Sequence, residues 1–183
     1  MKQILVAIVL MFLLSCQDNR DLTKYCYTDT FEHVEQKNST DTIKFYGFTD
    51  LDSAFACARK QNKPVLLVFA GWFSVSVHGL EWRTLSLFDD NDFIQNNYVI
   101  AWLQVDDRRL LTDTTKTDTI YDNAFRQRTI GNKYQLLQMR LASINTQPCF
   151  CIVDTNVTRY GNLMSYTKDK SEVKDFVLSG LKK

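Results

Sequence analysis

Apolar and polar residues alternate along residues 41–183 in the manner of an α/β domain. Residues 65–69 are an unbroken apolar run with β-branched members, which is typical of a strand buried on both faces of a sheet. Apolar residues spaced three and four apart predict amphipathic helices between the strands. The predicted strands are 42–48, 65–69, 98–105, 149–153 and 159–165. The predicted helices are 51–61, one beginning near residue 74, 132–142 and 171–181, with a short turn or helix at 89–96.

This order of elements predicts a three-layer α/β sandwich, in which helices flank a central mixed sheet. Asp50 is expected to cap the first helix. Residues 112–119 are rich in Thr and Asp and predict a long surface loop. The apolar stripes of the first and last helices place a set of side chains in the core: Leu51, Ala54, Phe55, Ala58, Val173, Phe176, Val177 and Leu181.

The N-terminus carries an export signal rather than part of the fold. Lys2 precedes eleven consecutive apolar residues, 4–14, about half of the ~20 needed to cross a bilayer as a helix. Residues 13–16, Leu-Leu-Ser-Cys, resemble the bacterial lipoprotein processing box. The resemblance implies that residues 1–15 are a signal peptide and that Cys16 is lipidated. A cleaved secretory signal with an incidental Cys16 is the alternative.

A lipidated Cys16 would hold the mature protein on a membrane of a Gram-negative cell envelope, with its domain in the periplasm or at the cell surface. Residues 16–40 are polar and lack sustained periodicity, so they are expected to be a tether, with some order around residues 25–27. The domain is expected to span residues 41–183.

Composition and charge narrow the function classes. The chain is 45% apolar, which is too hydrophobic for a disordered protein. Lys and Arg number 22 against 21 Asp and Glu, so nucleic acid is not an expected partner. The two His and the Cys spacing match no metal-ligand pattern, and we expect no metal or other cofactor. Ser74 and His78 lie four residues apart, but no nearby acid obviously orients the imidazole, so hydrolysis is not expected.

The junctions between the predicted elements resemble those of thioredoxins. Residues 63–72, Lys-Pro-Val-Leu-Leu-Val-Phe-Ala-Gly-Trp, lead from the central strand straight into a helix, as in the passage to that family's active site. Over residues 41–183 the chain is similar in particular to the C-terminal thioredoxin-like domain of the thiol:disulfide interchange protein DsbD and its envelope relatives. Further matches follow in the same order, at residues 129–134, 145–148, 154 and 179–181. The resemblance implies a thioredoxin-like fold with a cis Pro148.

The residues that exchange disulfides in that family are replaced. Where the family has Cys-x-x-Cys, this chain has Ser74 and Val77, so no thiolate can attack and no second sulfur can resolve a mixed disulfide. Val68 stands where thioredoxin-like proteins commonly keep an acid, and its conversion to core is expected. Glu81 matches a position at which the DsbD-like domain has an acid. A remnant that tunes a pKa and a solvated or capping side chain are both open, and the second is favoured.

The remaining cysteines allow two interpretations. Cys149 and Cys151 flank Phe150 in a predicted strand, so their side chains point to one face and are expected to be enclosed and inert. Cys57 is also expected to be packed. In the alternative, Cys149 is a lone redox thiol beside the cis proline, or pairs with Cys26 or Cys57.

A groove is the candidate binding site. In the family, the backbone just before the matching proline supplies hydrogen bonds to an extended ligand. The resemblance therefore implies a peptide-binding groove formed by Trp72, Phe73, Ser74, Thr146, Gln147 and Pro148. Trp72 and Phe73 could instead cover the core, and Ser74 could cap its helix. The expected function is binding of extended polypeptide or of another envelope protein without electron transfer. The alternative is an atypical thiol:disulfide oxidoreductase acting through Cys149.

Overall fold

Six strands form one sheet in the computed structural model, which describes residues 30–36, 42–71, 79–111 and 129–181. The strands are β1 (Thr30–Gln36), β2 (Thr42–Phe48), β3 (Val65–Ala70), β4 (Val99–Gln104), β5 (Cys149–Val153) and β6 (Arg159–Ser165). The helices are α1 (Leu51–Gln61), α2 (Leu80–Leu85), α3 (Asn91–Asn97), α4 (Ile130–Ala142) and α5 (Lys170–Ser179). The predicted loop at 112–119 and the start of the helix predicted near residue 74 lie outside the described residues.

The sheet is mixed and has the strand order β1-β2-β4-β3-β5-β6. Strands β2, β4 and β3 run parallel, whereas β1, β5 and β6 are antiparallel to their neighbours. Helices α1 and α4 cover one face, and α2, α3 and α5 cover the other. The predicted α/β sandwich, with helices on both sides of a mixed sheet, is therefore confirmed.

Strand β3 lies at the centre of this sandwich and is buried along its whole length. Its successive side chains enter the two cores in turn: Leu67 and Phe69 pack under α1 and α4, and Leu66 and Val68 pack on the other face. This is the environment that an unbroken apolar run predicts. Val68 is fully enclosed, in agreement with its predicted place in the core.

The N-terminal strand β1 lies within the range predicted to be tether. It pairs antiparallel with β2 over its full length, from Thr30 opposite Phe48 to Gln36 opposite Thr42. The folded unit therefore begins earlier than the predicted boundary at residue 41. The polar sequence of β1 does not indicate a strand. An edge strand is held by main-chain hydrogen bonds and needs no strongly apolar pattern.

The last helix ends before Leu181, which corrects one core prediction. Val173, Phe176 and Val177 are buried as predicted, but Leu181 is 38% exposed. Helix α5 stops at Ser179, where the side-chain hydroxyl donates to the Phe176 carbonyl and accepts from the Asn162 amide. The chain then turns away, and Leu181 leaves the apolar stripe.

A buried glutamine replaces part of the ladder between β2 and β4. These strands pair in register at a single position, Phe48 opposite Ala101. Further along β2, the Gln95 side chain from α3 donates to the Lys44 carbonyl at 2.8 Å and accepts from the Tyr46 amide at 3.3 Å. Gln95 thus supplies a donor and an acceptor that a neighbouring strand would otherwise provide.

Gln95→Leu is expected to lower the free energy of unfolding by about 1–3 kcal/mol, because two main-chain groups of β2 lose a buried partner. Urea unfolding followed by circular dichroism measures the change. Gln135→Leu, at a partly exposed glutamine of α4, is the control and should stay within about 0.5 kcal/mol of the unmodified protein. A Gln95→Leu variant as stable as the control would contradict the structural role given to Gln95.

Candidate functional site

Three segments of the chain meet at the edge of the sheet where β3 ends. The parallel strands β3 and β4 finish side by side, with Ala70 opposite Gln104 and the Val105 amide donating to the Ala70 carbonyl at 2.9 Å. Strand β5 begins at the same edge, with Cys149 opposite Phe69. The carboxyl ends of parallel strands are a common place for binding sites in open α/β sheets.

Gly71 lies near both of the other segments. A Cβ atom placed on Gly71 would lie 3.7 Å from the Asp106 carboxylate and 3.9 Å from Cγ of Gln147. The segment just before β5, residues 145–148, therefore lies against the end of β3 and the turn after β4. We call residues 145–148 the pre-proline segment.

The structure places three of the predicted groove residues in this segment. Thr146 is exposed, Gln147 is partly exposed and Pro148 is buried. The Gln147–Pro148 peptide bond is cis, the form that the family resemblance implies. The other predicted site positions, Trp72, Phe73, Ser74, Val77 and Cys16, lie outside the described residues.

The side-chain amide of Gln138 ties the pre-proline segment to helix α4. Gln138 is fully buried. Its Nε2 donates to the Thr146 carbonyl at 2.8 Å, and its Oε1 accepts from Nε2 of Gln147 at 3.1 Å. A second, more exposed link runs from Nε2 of Gln135 to Oδ1 of Asn145 at 3.3 Å. The segment is therefore held by neutral amides.

These hydrogen bonds reduce the number of main-chain groups before Pro148 that can bind a ligand. The Thr146 carbonyl faces α4 and is bonded to Gln138, so it is engaged within the domain. Among the described residues, neither the main-chain amide nor the carbonyl of Gln147 has a hydrogen-bond partner. The main-chain groups that remain for a ligand are those of Gln147.

Sequence reasoning missed Gln138, although a signal for it exists. Gln138 lies next to Leu137 and one helical turn from both Tyr134 and Ala142, all of which are buried. A polar residue inside an apolar helical stripe is expected to have a hydrogen-bond partner once it is buried. Thr146 and Gln147, which its amide bonds, belong to a loop that the helix pattern does not specify.

The turn after β4 is also tied to α4. The Gly131 amide donates to the Asp107 carbonyl at 2.9 Å, and a Cβ on Gly131 would lie only 2.5 Å from the Asp107 nitrogen. This close approach requires glycine at the first turn of α4. The Asp107 carboxylate accepts hydrogen bonds from the Arg109 guanidinium, which hold the pKa of that carboxyl below its usual range.

The cysteines of β5 are enclosed, as predicted. Cys149 and Cys151 have no exposed surface, carry free thiols and point into the same core. Burial raises the pKa of Cys149 to about 11, against smaller opposing effects of a Gln138 hydrogen bond and the Arg159 charge. Burial and the neighbouring Cys149 raise the pKa of Cys151 to about 12. Cys57 is also buried, so the packing predicted for it is confirmed.

Glu81 is buried, which contradicts the solvated form of the favoured prediction and leaves the capping form untested. It is 3% exposed and lies in the first turn of α2. Four of the six residues of this short helix are buried, so α2 lies deep against the sheet and carries Glu81 inward. The position in the first turn of the helix favours a carboxylate, because the main-chain amides at the N-terminus of a helix carry partial positive charge.

Neither a scan against models of protein families nor a search of curated proteins finds a match to the chain. Across the described ranges, no helix is long and apolar enough to cross a membrane. The same ranges hold no group of three or more His, Cys, Asp or Glu that could bind a metal ion.

Cys149 is expected to resist alkylation while the protein is folded. With a pKa of about 11, about one thiol in a thousand is ionised at pH 8. Iodoacetamide at pH 8 should therefore leave Cys149 and Cys151 unmodified in the folded protein and modify both in guanidinium chloride, as measured by peptide mass spectrometry. Rapid labelling of Cys149, while the circular dichroism spectrum is still that of the folded protein, would contradict the burial of this thiol.

The raised pKa of Cys149 also determines how the free energy of unfolding changes in alkali. The unfolded chain releases its thiol protons near pH 9, whereas the folded protein keeps the Cys149 proton until the pH approaches about 11. The free energy of unfolding contributed by this thiol is therefore complete below pH 9 and is lost as the pH rises toward 11.

Proposed function

We propose that this chain is an envelope lipoprotein whose thioredoxin-like domain binds extended polypeptide, or an extended segment of another envelope protein, without electron transfer. The binding site is the pre-proline segment together with the residues that follow β3, including Trp72 and Phe73. The family is that of the C-terminal domain of the thiol:disulfide interchange protein DsbD, with the dithiol replaced by Ser74 and Val77.

The main chain of Gln147 is the observation that carries this proposal. Its amide and carbonyl have no partner among the described residues and lie beside the strand ends of β3 and β4. Unpaired main-chain groups beside the ends of these strands can bond to an extended peptide, which recognises them without needing a particular side chain. Trp72 and Phe73 directly follow Gly71 in sequence and would add apolar contact area.

Three features support the absence of electron transfer. Ser74 and Val77 supply no sulfur, and Val68 fills the core at the strand position where the family commonly keeps an acid. Cys149, the nearest described thiol to the pre-proline segment, is enclosed, and burial raises its pKa. A thiol must ionise and be reached before it exchanges disulfides, and Cys149 meets neither condition at neutral pH.

The membrane anchor is part of the same proposal. Signal removal after residue 15 would leave Cys16 as the lipidated first residue, and the segment before β1 would tether the domain to the membrane. Since the Lys plus Arg and Asp plus Glu counts are nearly equal, net attraction to a charged surface is not expected to hold the protein there, and the lipid would be its anchor.

The protein is expected to bind reduced, carboxymethylated α-lactalbumin, which stays unfolded, and not the native form of the same protein. Fluorescence anisotropy of the dye-labelled polypeptide measures the affinity. Trp72→Ala should weaken binding at least about tenfold, because loss of a central aromatic anchor typically costs more than one factor of ten in affinity.

Leu181→Ala is the matched control, since it removes a partly exposed apolar side chain that follows Gly180 near Tyr98, at the opposite edge of the sheet. It should leave the affinity within about twofold. Equal affinity for unfolded and native α-lactalbumin, or no binding of either, would overturn the proposed function.

A further inference from the structure

We infer that Gln138 is a positioning residue of the binding site: its buried amide orients the Thr146–Gln147 peptide unit so that the Gln147 amide faces an incoming polypeptide. This inference rests on the proposed function and names the group that prepares the site for its ligand. It concerns the geometry of the pre-proline segment before any ligand is present.

The orientation follows from the planarity of one peptide unit. The carbonyl of Thr146 and the amide of Gln147 belong to the same peptide group. This group is trans, since among the described residues the Gln147–Pro148 bond alone is cis. In a trans peptide the C=O and N–H bonds point in opposite directions. The hydrogen bond from Nε2 of Gln138 to the Thr146 carbonyl at 2.8 Å therefore turns the Gln147 amide away from α4.

The other end of the Gln138 amide removes a competing group from the site. Its Oε1 accepts from Nε2 of Gln147 at 3.1 Å, which draws the Gln147 side chain toward α4. Without this bond the Gln147 side chain would keep only the longer hydrogen bond from its Nε2 to Oδ1 of Asn145 at 3.5 Å, and it would be less constrained from covering its own main chain. Both ends of one buried amide thus act on the same two residues.

A purely structural role explains Gln138 less well. It lies in a core otherwise built from apolar side chains, including Tyr134 and Leu137. Replacing both partners of a buried hydrogen bond by apolar groups of the same shape is often nearly neutral for stability, whereas a buried amide needs every partner in place. A role in orientation accounts for the amide in a way that packing alone does not.

Gln138→Glu replaces the neutral amide with a carboxyl group, whose ability to donate a hydrogen bond to Thr146 depends on pH. When the carboxyl is protonated, its hydroxyl can still donate to the Thr146 carbonyl, but when it is ionised it can only accept. Burial raises the pKa of such a carboxyl, so the change falls near neutral pH. The unmodified protein, with an amide at this position, has no such titration.

Binding of unfolded, carboxymethylated α-lactalbumin at pH 5 and pH 8 tests the inference. Gln138→Glu should bind within about threefold of the unmodified protein at pH 5 and at least about tenfold more weakly at pH 8. The ¹⁵N shift of the Gln147 amide should titrate over the same range in the free variant. In the unmodified protein both readouts should change little.

Gln95→Glu is the matched control. Gln95 is also buried and also donates to a main-chain carbonyl at 2.8 Å, but its partner is Lys44 on β2. The free energy of unfolding of Gln95→Glu should depend on pH in the same way as that of Gln138→Glu. The affinity of Gln95→Glu for the unfolded polypeptide should not depend on pH, when it is measured at pH values at which circular dichroism shows that this variant is folded. This separates orientation of the site from loss of stability.

The possible results are distinguishable. Equal binding by Gln138→Glu at both pH values would overturn the inference and leave the proposed function standing. No binding by the unmodified protein would overturn the proposed function and this inference with it. If Gln138→Glu does not fold at pH 8, Gln138→Met decides: binding within about twofold of the unmodified protein overturns the inference, and at least about tenfold weaker binding supports it.

Discussion

Burial of β3 between two helical layers is the constraint on which the rest of this structure depends. Every residue from Val65 to Ala70 is enclosed, so this strand cannot shift in register without moving both cores. Its end therefore lies at a fixed place, and Gly71 emerges there beside the end of β4 and the start of β5. The candidate site is a consequence of this burial.

Two buried glutamines provide hydrogen bonds to main-chain groups that the apolar side chains of the cores cannot pair. Gln95 bonds main-chain groups of β2 beyond the single position at which β2 pairs with β4, and Gln138 bonds the segment before Pro148. Both are neutral, so each can be enclosed without the cost of desolvating a charge. In each case a side chain from a helix supplies a hydrogen bond to a main-chain carbonyl that the sheet leaves without one.

Sequence patterns predicted the positions of the elements well because periodicity is a local property. The apolar runs of β3 and β5 and the cap at Asp50 need only near neighbours in the chain, and the structure has them where the patterns predict. The edge strand β1 escaped prediction because its main-chain pairing leaves a weak sequence signal.

Other features of the site depend on contacts between distant residues. Glu81 looks like a surface residue until α2 is seen to lie deep against the sheet. Gln138 is visible as a polar interruption of an apolar stripe, but its role needs the position of Thr146, which only the fold provides. The enclosure of Cys149 could be predicted, since an apolar strand next to a central strand has little access to solvent.

The proposed function holds that this domain keeps the binding geometry of a disulfide-exchange protein without its chemistry. Reduction of insulin by dithiothreitol in the presence of the purified protein tests that claim most directly. The account predicts a rate equal to the uncatalysed rate, with or without Cys149→Ser. Catalytic turnover by the protein that disappears in Cys149→Ser would contradict it.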